Sequence, residues 1–298
     1  MIWQGILSKI LVIGNAIIDQ IMQISQFPKQ DQEMRATGQY TSIGGNACNT
    51  AQILAQLGHQ VQLVSSLGDD REALDLTSAL TKKNVGTQLC VTNKGYKTPF
   101  SSIWLNQQNG SRTIIHYRDL PELQIEDLQS IDVTEYDWIH FEGRNTDTLK
   151  IYLESISNNS ARTQIILSLE IEKSRPHIED LLPYIDIAIV SSHYLNEKAW
   201  GAEHAIQQFQ RNNPSLKIAC TLGDSGVLGS DSAGSKYTFP AIAMSEVIDT
   251  IGAGDCFIAG LISAVAQNHS FNSALQFANQ LAAYKIKQRG MSIEGYSN

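Results

Sequence analysis

Gly252-Ala253-Gly254-Asp255 places a carboxylate directly after a flexible turn, and the apolar stretch Cys256-Phe257-Ile258-Ala259-Gly260-Leu261 follows without a break. The apolar stretch predicts a helix, and the turn then lies at its start. Free backbone N–H groups and the positive end of the helix dipole gather at such a start, where they can hold an anion such as phosphate. Glycines let the backbone come close to that anion. A carboxylate at Asp255 would stand beside it, placed to take the proton of an attacking hydroxyl. Taken alone, the same four residues could equally be a turn in which aspartate caps a helix.

A second glycine pair precedes another expected helix at Ile43-Gly44-Gly45-Asn46-Ala47-Cys48-Asn49. Asn46 and Asn49 are three residues apart and share a face of the first turn. Two amides, each both donor and acceptor, suit a polyhydroxylated ligand, although an asparagine cap after a glycine turn is the simpler use of Asn46. Asp19 is a lone charge in the apolar stretch Ala16-Ile17-Ile18-Asp19, where it could accept from two sugar hydroxyls or face water at a turn. Arg112, just beyond the turn Asn109-Gly110-Ser111, could fold its planar fork onto phosphate oxygens. Gly223-Asp224-Ser225-Gly226 ends an expected strand in a glycine-rich turn that could border a nucleotide, a feature many such connections share.

These residues need a scaffold, and the apolar pattern supplies one. Short apolar runs at 10–14, 61–64, 138–141, 165–169, 185–190 and 218–222 have the form of buried parallel strands. Helical periodicity falls between them at 46–57, 148–156, 202–210, 255–267 and 271–287. The alternation predicts a doubly wound α/β fold, a three-layer α/β/α sandwich on a mostly parallel central sheet. Two segments break the rhythm. Residues 15–41 carry no amphipathic helix, and 97–118 read as a hairpin turning at Asn109-Gly110-Ser111. The expected organisation is a core of 1–14, 42–96 and 119–298, with 15–41 and 97–118 pairing as a small β-sheet lid over the C-terminal strand ends. Ligands bind at those ends in such folds.

Bulk properties narrow the partners. A net charge of −8 over 298 residues argues against nucleic acid or an anionic membrane as the general partner. No apolar run nears the ~20 residues of a membrane span, and residues 1–9 lack the pattern of a secretory leader. Cys48, Cys90, Cys220 and Cys256 show no metal or redox spacing and read as reduced core thiols, which points to the cytoplasm. The first strand ends in Gly14-Asn15-Ala16 and lacks the glycine fingerprint of dinucleotide binders.

The glycine-asparagine start at 44–46 and the Asp249-Thr250-Ile251-Gly252-Ala253-Gly254-Asp255 run, in that order, resemble the two signatures of the ribokinase-like (PfkB-type) carbohydrate kinases. Within that family the chain looks most like the ketohexokinase branch, through Phe27-Pro28-Lys29-Gln30-Asp31, Gly110-Ser111-Arg112-Thr113-Ile114, the run 138–145 and Ser168-Leu169-Glu170-Ile171-Glu172-Lys173. The resemblance implies an ATP-dependent kinase acting on a primary hydroxyl of a ketose such as fructose, with magnesium carried on the ATP phosphates rather than in a protein metal site. By the same likeness Asp255 is the base and the 252–254 amides are the anion hole. Asp19, Gly45, Asn46 and Asn49 hold the sugar, and Arg112 touches sugar and phosphate. Gly223, Asp224, Gly226, Gly254 and Asn279 line the nucleotide. Asp31 would reach the sugar of a partner subunit in a homodimer clasped through the lids, and a monovalent cation near the Asp249 carbonyl stays open. Other readings are a ribokinase, an adenosine-kinase-like enzyme or a silent sugar-binding regulator; Asp255 with its full glycine turn argues against the last. The N-x-x-E element that many members use near magnesium would fall at Ser192-His193-Tyr194-Leu195, and both polar residues are missing there.

Overall fold

The computed structural model describes residues 7–244 and 247–296, so the first part of the expected core segment 1–14 lies outside the described residues. The central sheet has nine strands. From one edge to the other they are Lys236–Phe239, Val227–Ser230, Lys217–Thr221, Ile187–Ser191, Ile166–Ile171, Trp138–Glu142, Lys9–Ile13, Gln60–Val64 and Val85–Gly86. The strands from Lys217–Thr221 to Val85–Gly86 run parallel, while Val227–Ser230 and Lys236–Phe239 add an antiparallel edge. This edge was absent from the strands expected from sequence, because glycine and polar residues break its apolar run.

The parallel strands are apolar throughout because both faces are covered. In Lys9–Ile13, Ile10 and Val12 join one core cluster while Leu11 and Ile13 join the other. The first cluster lies under the helices Asn46–Gln56, Arg71–Lys82, Ala253–Ala266 and Phe271–Lys285. The second packs against Thr146–Ser157, Ser192–Glu197 and Ala202–Asn212. The helix Arg71–Lys82 was not among the expected ones; it begins on Asp70, whose side chain accepts from the Ala73 N–H. No helix among the described residues is long and apolar enough to cross a membrane.

A separate four-stranded sheet has the order Gly38–Gly44, Ile17–Ile24, Phe100–Asn106, Arg112–Tyr117. It joins the two segments that break the helical rhythm, and its middle pair is parallel. Its first strand continues to Gly44, past the expected limit at residue 41, because Ile43 and Gly44 still pair with Ile18 and Ile17. Alternating burial holds for residues 100–104 and breaks at Leu105. It fails for Arg112–Tyr117, an edge strand exposed at every residue, with Ile114, Ile115 and Tyr117 all more than half exposed.

Chain order reverses beside Lys9–Ile13. The chain proceeds from this strand to Gln60–Val64 on one side, then returns to Trp138–Glu142 on the other. The crevice at such a reversal, outside the C-terminal strand ends, is where open α/β sheets bind ligands. The helix bearing Asp255 packs tightly nearby: a Cβ on Gly260 would lie 3.0 Å from the Ala278 Cα and 3.2 Å from a Leu281 methyl. Gly260→Val should therefore force the helices Ala253–Ala266 and Phe271–Lys285 apart and cost about 1–3 kcal/mol. A urea titration would register this as a lower midpoint with an unchanged slope.

Candidate active site

Gly252 adopts the left-handed conformation, φ 77°, and opens the helix Ala253–Ala266 as its N-cap residue with no side-chain cap. Asp255 therefore lies in the first turn and is not the cap, which settles one alternative the sequence left open. Its Oδ2 instead accepts from the Asn49 Nδ2 at 2.7 Å, across 206 residues of chain. Gly254 is exposed while Asp255 is buried, so the turn faces the crevice and the carboxylate stands behind it.

Gly45 starts the helix Asn46–Gln56 at φ 96°, a conformation that suits glycine. Asn46 is likewise not the cap. Its Nδ2 donates to Glu170 Oε1 at 2.9 Å, so the two asparagines do share a face, and that face points at two carboxyl groups. Asn49 Oδ1 and Glu170 Oε2 are both buried without a hydrogen-bond partner among the described residues. Buried polar atoms are usually satisfied, so these two orphans beside Asp255 mark where a hydroxylated ligand would complete the network. Glu142 lies close by; its Oε2 accepts from the Asn15 N–H at 2.7 Å and the Ala47 N–H at 3.3 Å.

Electrostatics follow from this crowding. Burial pushes the Asp255 carboxyl up to about 7, the Asn49 hydrogen bond pulls it down, and Glu142 and Glu172 raise it further. The same burial, reinforced by Asp255 and Glu142, holds Glu170 well above the ordinary carboxylate range. Asp19 is pushed by burial to about 6 against a hydrogen bond from Ser101. Asp19 and Asn49 both line a small cavity of about 20 Å³, together with Tyr40, Asp249, Ile251 and Met291. A group with its pKa near neutrality, in a crevice and within reach of a ligand, is suited to move protons.

Arg112 reaches down from the small sheet, its guanidinium donating to Thr250 Oγ1 at 2.6 Å. The turn Gly223–Ser225 lies at the C-terminal end of Lys217–Thr221, with Asp224 exposed and Gly226 buried at φ 92°. Asn279 donates to the Pro240 carbonyl at 2.9 Å, which ties the helix Phe271–Lys285 to the segment leading to Asp249. Asp31 is exposed at φ 61° in the connection between Ile17–Ile24 and Gly38–Gly44, apart from the cluster around Asp255.

Several contributors were hidden in the sequence. Glu142 and Glu170 end apolar strands, and only their place on adjacent strand ends reveals them. Arg118, where the small sheet rejoins the core, donates to Asn15 Oδ1 at 2.6 Å and pairs with Glu122 at 3.1 Å; Glu122 also pairs with Arg144 at 2.8 Å. Lys285 sits inside an apolar helix pattern and is completely buried. Its ammonium donates to the Asp249 carbonyl at 3.0 Å and to the Ile251 carbonyl, and it pairs with Asp249 Oδ2 at 3.2 Å. No group of three or more acidic, His or Cys side chains among the described residues is arranged to hold a metal ion by itself.

A reversal-point crevice, an uncapped glycine turn at a helix start and a carboxyl that burial raises to about 7 thus come together. The sequence matches the model of the pfkB family carbohydrate kinases over residues 7–295, and the chain belongs to that family. It is 30% identical to mouse (Mus musculus) ketohexokinase, over 95% of this chain and 97% of the relative. It is 24% identical to a fructosamine kinase of Bacillus subtilis, over 97% and 94% of the two chains. Its fold superposes on Arabidopsis thaliana ribokinase, solved with ribose and ATP, with a TM-score of 0.79 at 21% identity, covering 96% and 94% of the two chains. For Giardia lamblia ribokinase the TM-score is 0.83 at 17% identity, covering 95% and 96%. The chain is thus a carbohydrate kinase on the ribokinase fold.

The Asn49 hydrogen bond stabilises the charged form of Asp255, so its removal raises the carboxyl further. In Asn49→Leu the acidic limb of the kcat/KM profile should move to higher pH than the wild-type limb near 7. A pH–rate profile of both proteins at low sugar concentration checks the direction.

Proposed function

We propose that this chain transfers the γ-phosphoryl group of ATP to a primary hydroxyl of a ketose, with fructose to fructose 1-phosphate as the leading reaction. The observation that carries the reading is Asp255, buried behind an uncapped glycine turn and flanked by the unpartnered Asn49 Oδ1 and Glu170 Oε2. The 30% identity to a ketohexokinase over nearly the whole of both chains supports the ketose. Ribokinases among the relatives keep ribose as the second reading.

Asp19, Gly45, Asn46 and Asn49 hold the sugar, with its reacting hydroxyl turned to Asp255. As the sugar oxygen bonds to the γ-phosphorus and the bond to ADP breaks, the Asp255 carboxylate takes the hydroxyl proton. The amides of residues 252–254 face the phosphoryl oxygens, and Arg112, which donates to Thr250 just before that turn, joins them. Fixed donors of this kind stabilise the developing charge without reorganising. Magnesium, carried on the nucleotide phosphates, would neutralise part of their charge. The turn 223–226 and Asn279 border the nucleotide at the far end of the crevice. Closing the small sheet over the crevice excludes water, so the sugar and not water accepts the phosphoryl group.

The same sheet is the proposed dimer clasp. Its edge strand Arg112–Tyr117 presents Ile114, Ile115 and Tyr117 to solvent, an exposure that an edge strand ordinarily avoids. Pairing with a second copy would cover it and bring Asp31 toward the partner's sugar.

Asp255→Asn should lower kcat by at least ~10²-fold, the low end for a positioned base, while sugar binding measured by calorimetry persists; unchanged turnover would sink the assignment. An ADP-release panel across fructose, ribose, tagatose, sorbose and adenosine, with the product position read by NMR, should give the highest kcat/KM for fructose and phosphate on its first carbon. Ile115→Glu should convert a dimer to a monomer in sedimentation velocity, and a sedimentation coefficient unaffected by that change, or monomeric wild type, would reject the clasp.

A further inference from the structure

Lys285 is the last residue of the helix Phe271–Lys285, and its side chain has no exposure to water. Lysine is almost never fully buried unless it is paired. Here the ammonium is enclosed by oxygen: the carbonyl of Asp249 at 3.0 Å, the carbonyl of Ile251, and the Asp249 carboxylate at 3.2 Å. Those acceptors belong to Asp249 and Ile251, two of the three residues that lead directly into Gly252. The surrounding bonds have the same focus. Asp249 Oδ1 accepts from the Ile251 N–H at 2.9 Å, and its Oδ2 accepts from the Gly290 N–H at 3.0 Å. The amides of Ile248 and Asp249 donate to the Ile286 carbonyl at 2.8 and 3.0 Å. The ammonium thus binds the loop 248–251 to the end of the last helix, one residue before the anion-hole turn.

An ammonium ion and a dehydrated alkali cation ask the same of a protein: several oxygens, among them backbone carbonyls, converging on one positive centre. Oxygens aimed at one point, here two carbonyls and a carboxylate, repel one another unless a cation fills the point. In this chain a covalently attached cation fills it, at the Asp249 carbonyl. We propose that Lys285 is an internal cation that positions the 252–254 turn, so that phosphoryl transfer by this chain proceeds without any bound monovalent cation. The inference rests on the reading of that turn as the anion hole. Lys285 acts through the loop and is a positioning residue; it touches neither sugar nor phosphate.

The test compares wild type, Lys285→Ala and Lys285→Met in a buffer whose only monovalent cation is tetramethylammonium, and then with potassium, ammonium or methylammonium chloride added. Wild type should turn over equally in all of them. Lys285→Ala, which leaves a cavity bordered by two carbonyls and the Asp249 carboxylate, should lose on the order of 10²-fold in kcat with little change in sugar KM, the cost of misplacing preorganised donors. Ammonium or methylammonium should restore much of that rate. Lys285→Met fills the space with an apolar chain and should be equally slow but not rescued. A lysine that served only to hold the fold together would lower the melting temperature without giving cation-specific rescue.

Calorimetry with the non-hydrolysable β,γ-imido analogue of ATP supplies a readout that needs no turnover: its affinity should fall in Lys285→Ala and recover with ammonium. If no sugar is phosphorylated yet this affinity responds as described, the ketose reading fails and the internal cation stands. If sugar is phosphorylated but Lys285→Ala is as fast as wild type, or slow and folded with no rescue by any cation, the inference is overturned and the kinase reading stands. Should Lys285→Ala not fold, wild type decides alone: a loss of more than about tenfold on removing potassium, a difference of roughly 1.4 kcal/mol in the barrier, refutes an internal cation.

Discussion

A carboxylate buried among carboxylates is the constraint on which this structure turns. Asp255, Glu142 and Glu170 converge where the central sheet reverses its chain order, and each is nearly out of water. Ionising such groups together is unfavourable in a medium less polar than water. The protein offsets this with amide donors: Asn49 to Asp255, Asn46 to Glu170, and the backbone N–H groups of Asn15 and Ala47 to Glu142. What the donors leave unbalanced appears as a raised carboxyl at Asp255. That imbalance leaves the site a carboxyl raised to about 7.

The fold is arranged to keep those donors in register. Two helices start at the crevice, each from a glycine in a left-handed or otherwise positive-φ conformation, and neither carries a side-chain cap. One start delivers Asn46 and Asn49, the other delivers Asp255, and the helices that bear them pack in the same core cluster. The small sheet is tied to this floor from two directions. Arg112 touches Thr250 from its edge strand, and Arg118 anchors its exit to Asn15 within the Glu122–Arg144 ion-pair network.

Much of this is legible in the amino-acid sequence. Apolar runs marked the parallel strands because both of their faces are covered, and the glycine-aspartate turn marked the helix start because only small residues tolerate that backbone. The antiparallel edge at Val227–Ser230 and Lys236–Phe239 escaped, since short strands with polar residues resemble loops. Asp255 and Asn46 each carried an ambiguity between capping and chemistry. Local sequence could not remove it, because a cap and a catalytic group are the same residue types at the same kind of position.

The residues alone determined the class of fold, the glycine turns and the carboxylate that follows the second of them, all of which show in patterns a few positions long. Tertiary structure decided what that carboxylate experiences. Asn49 and Asp255 are separated by 206 residues, and Lys285 reaches the Asp249 carbonyl across 36. Glu142 and Glu170 become neighbours only because their strands pair in parallel, end to end. A carboxyl's proton affinity is a sum over everything within a few ångströms. Distance in space sets that sum, and spacing along the chain does not encode it.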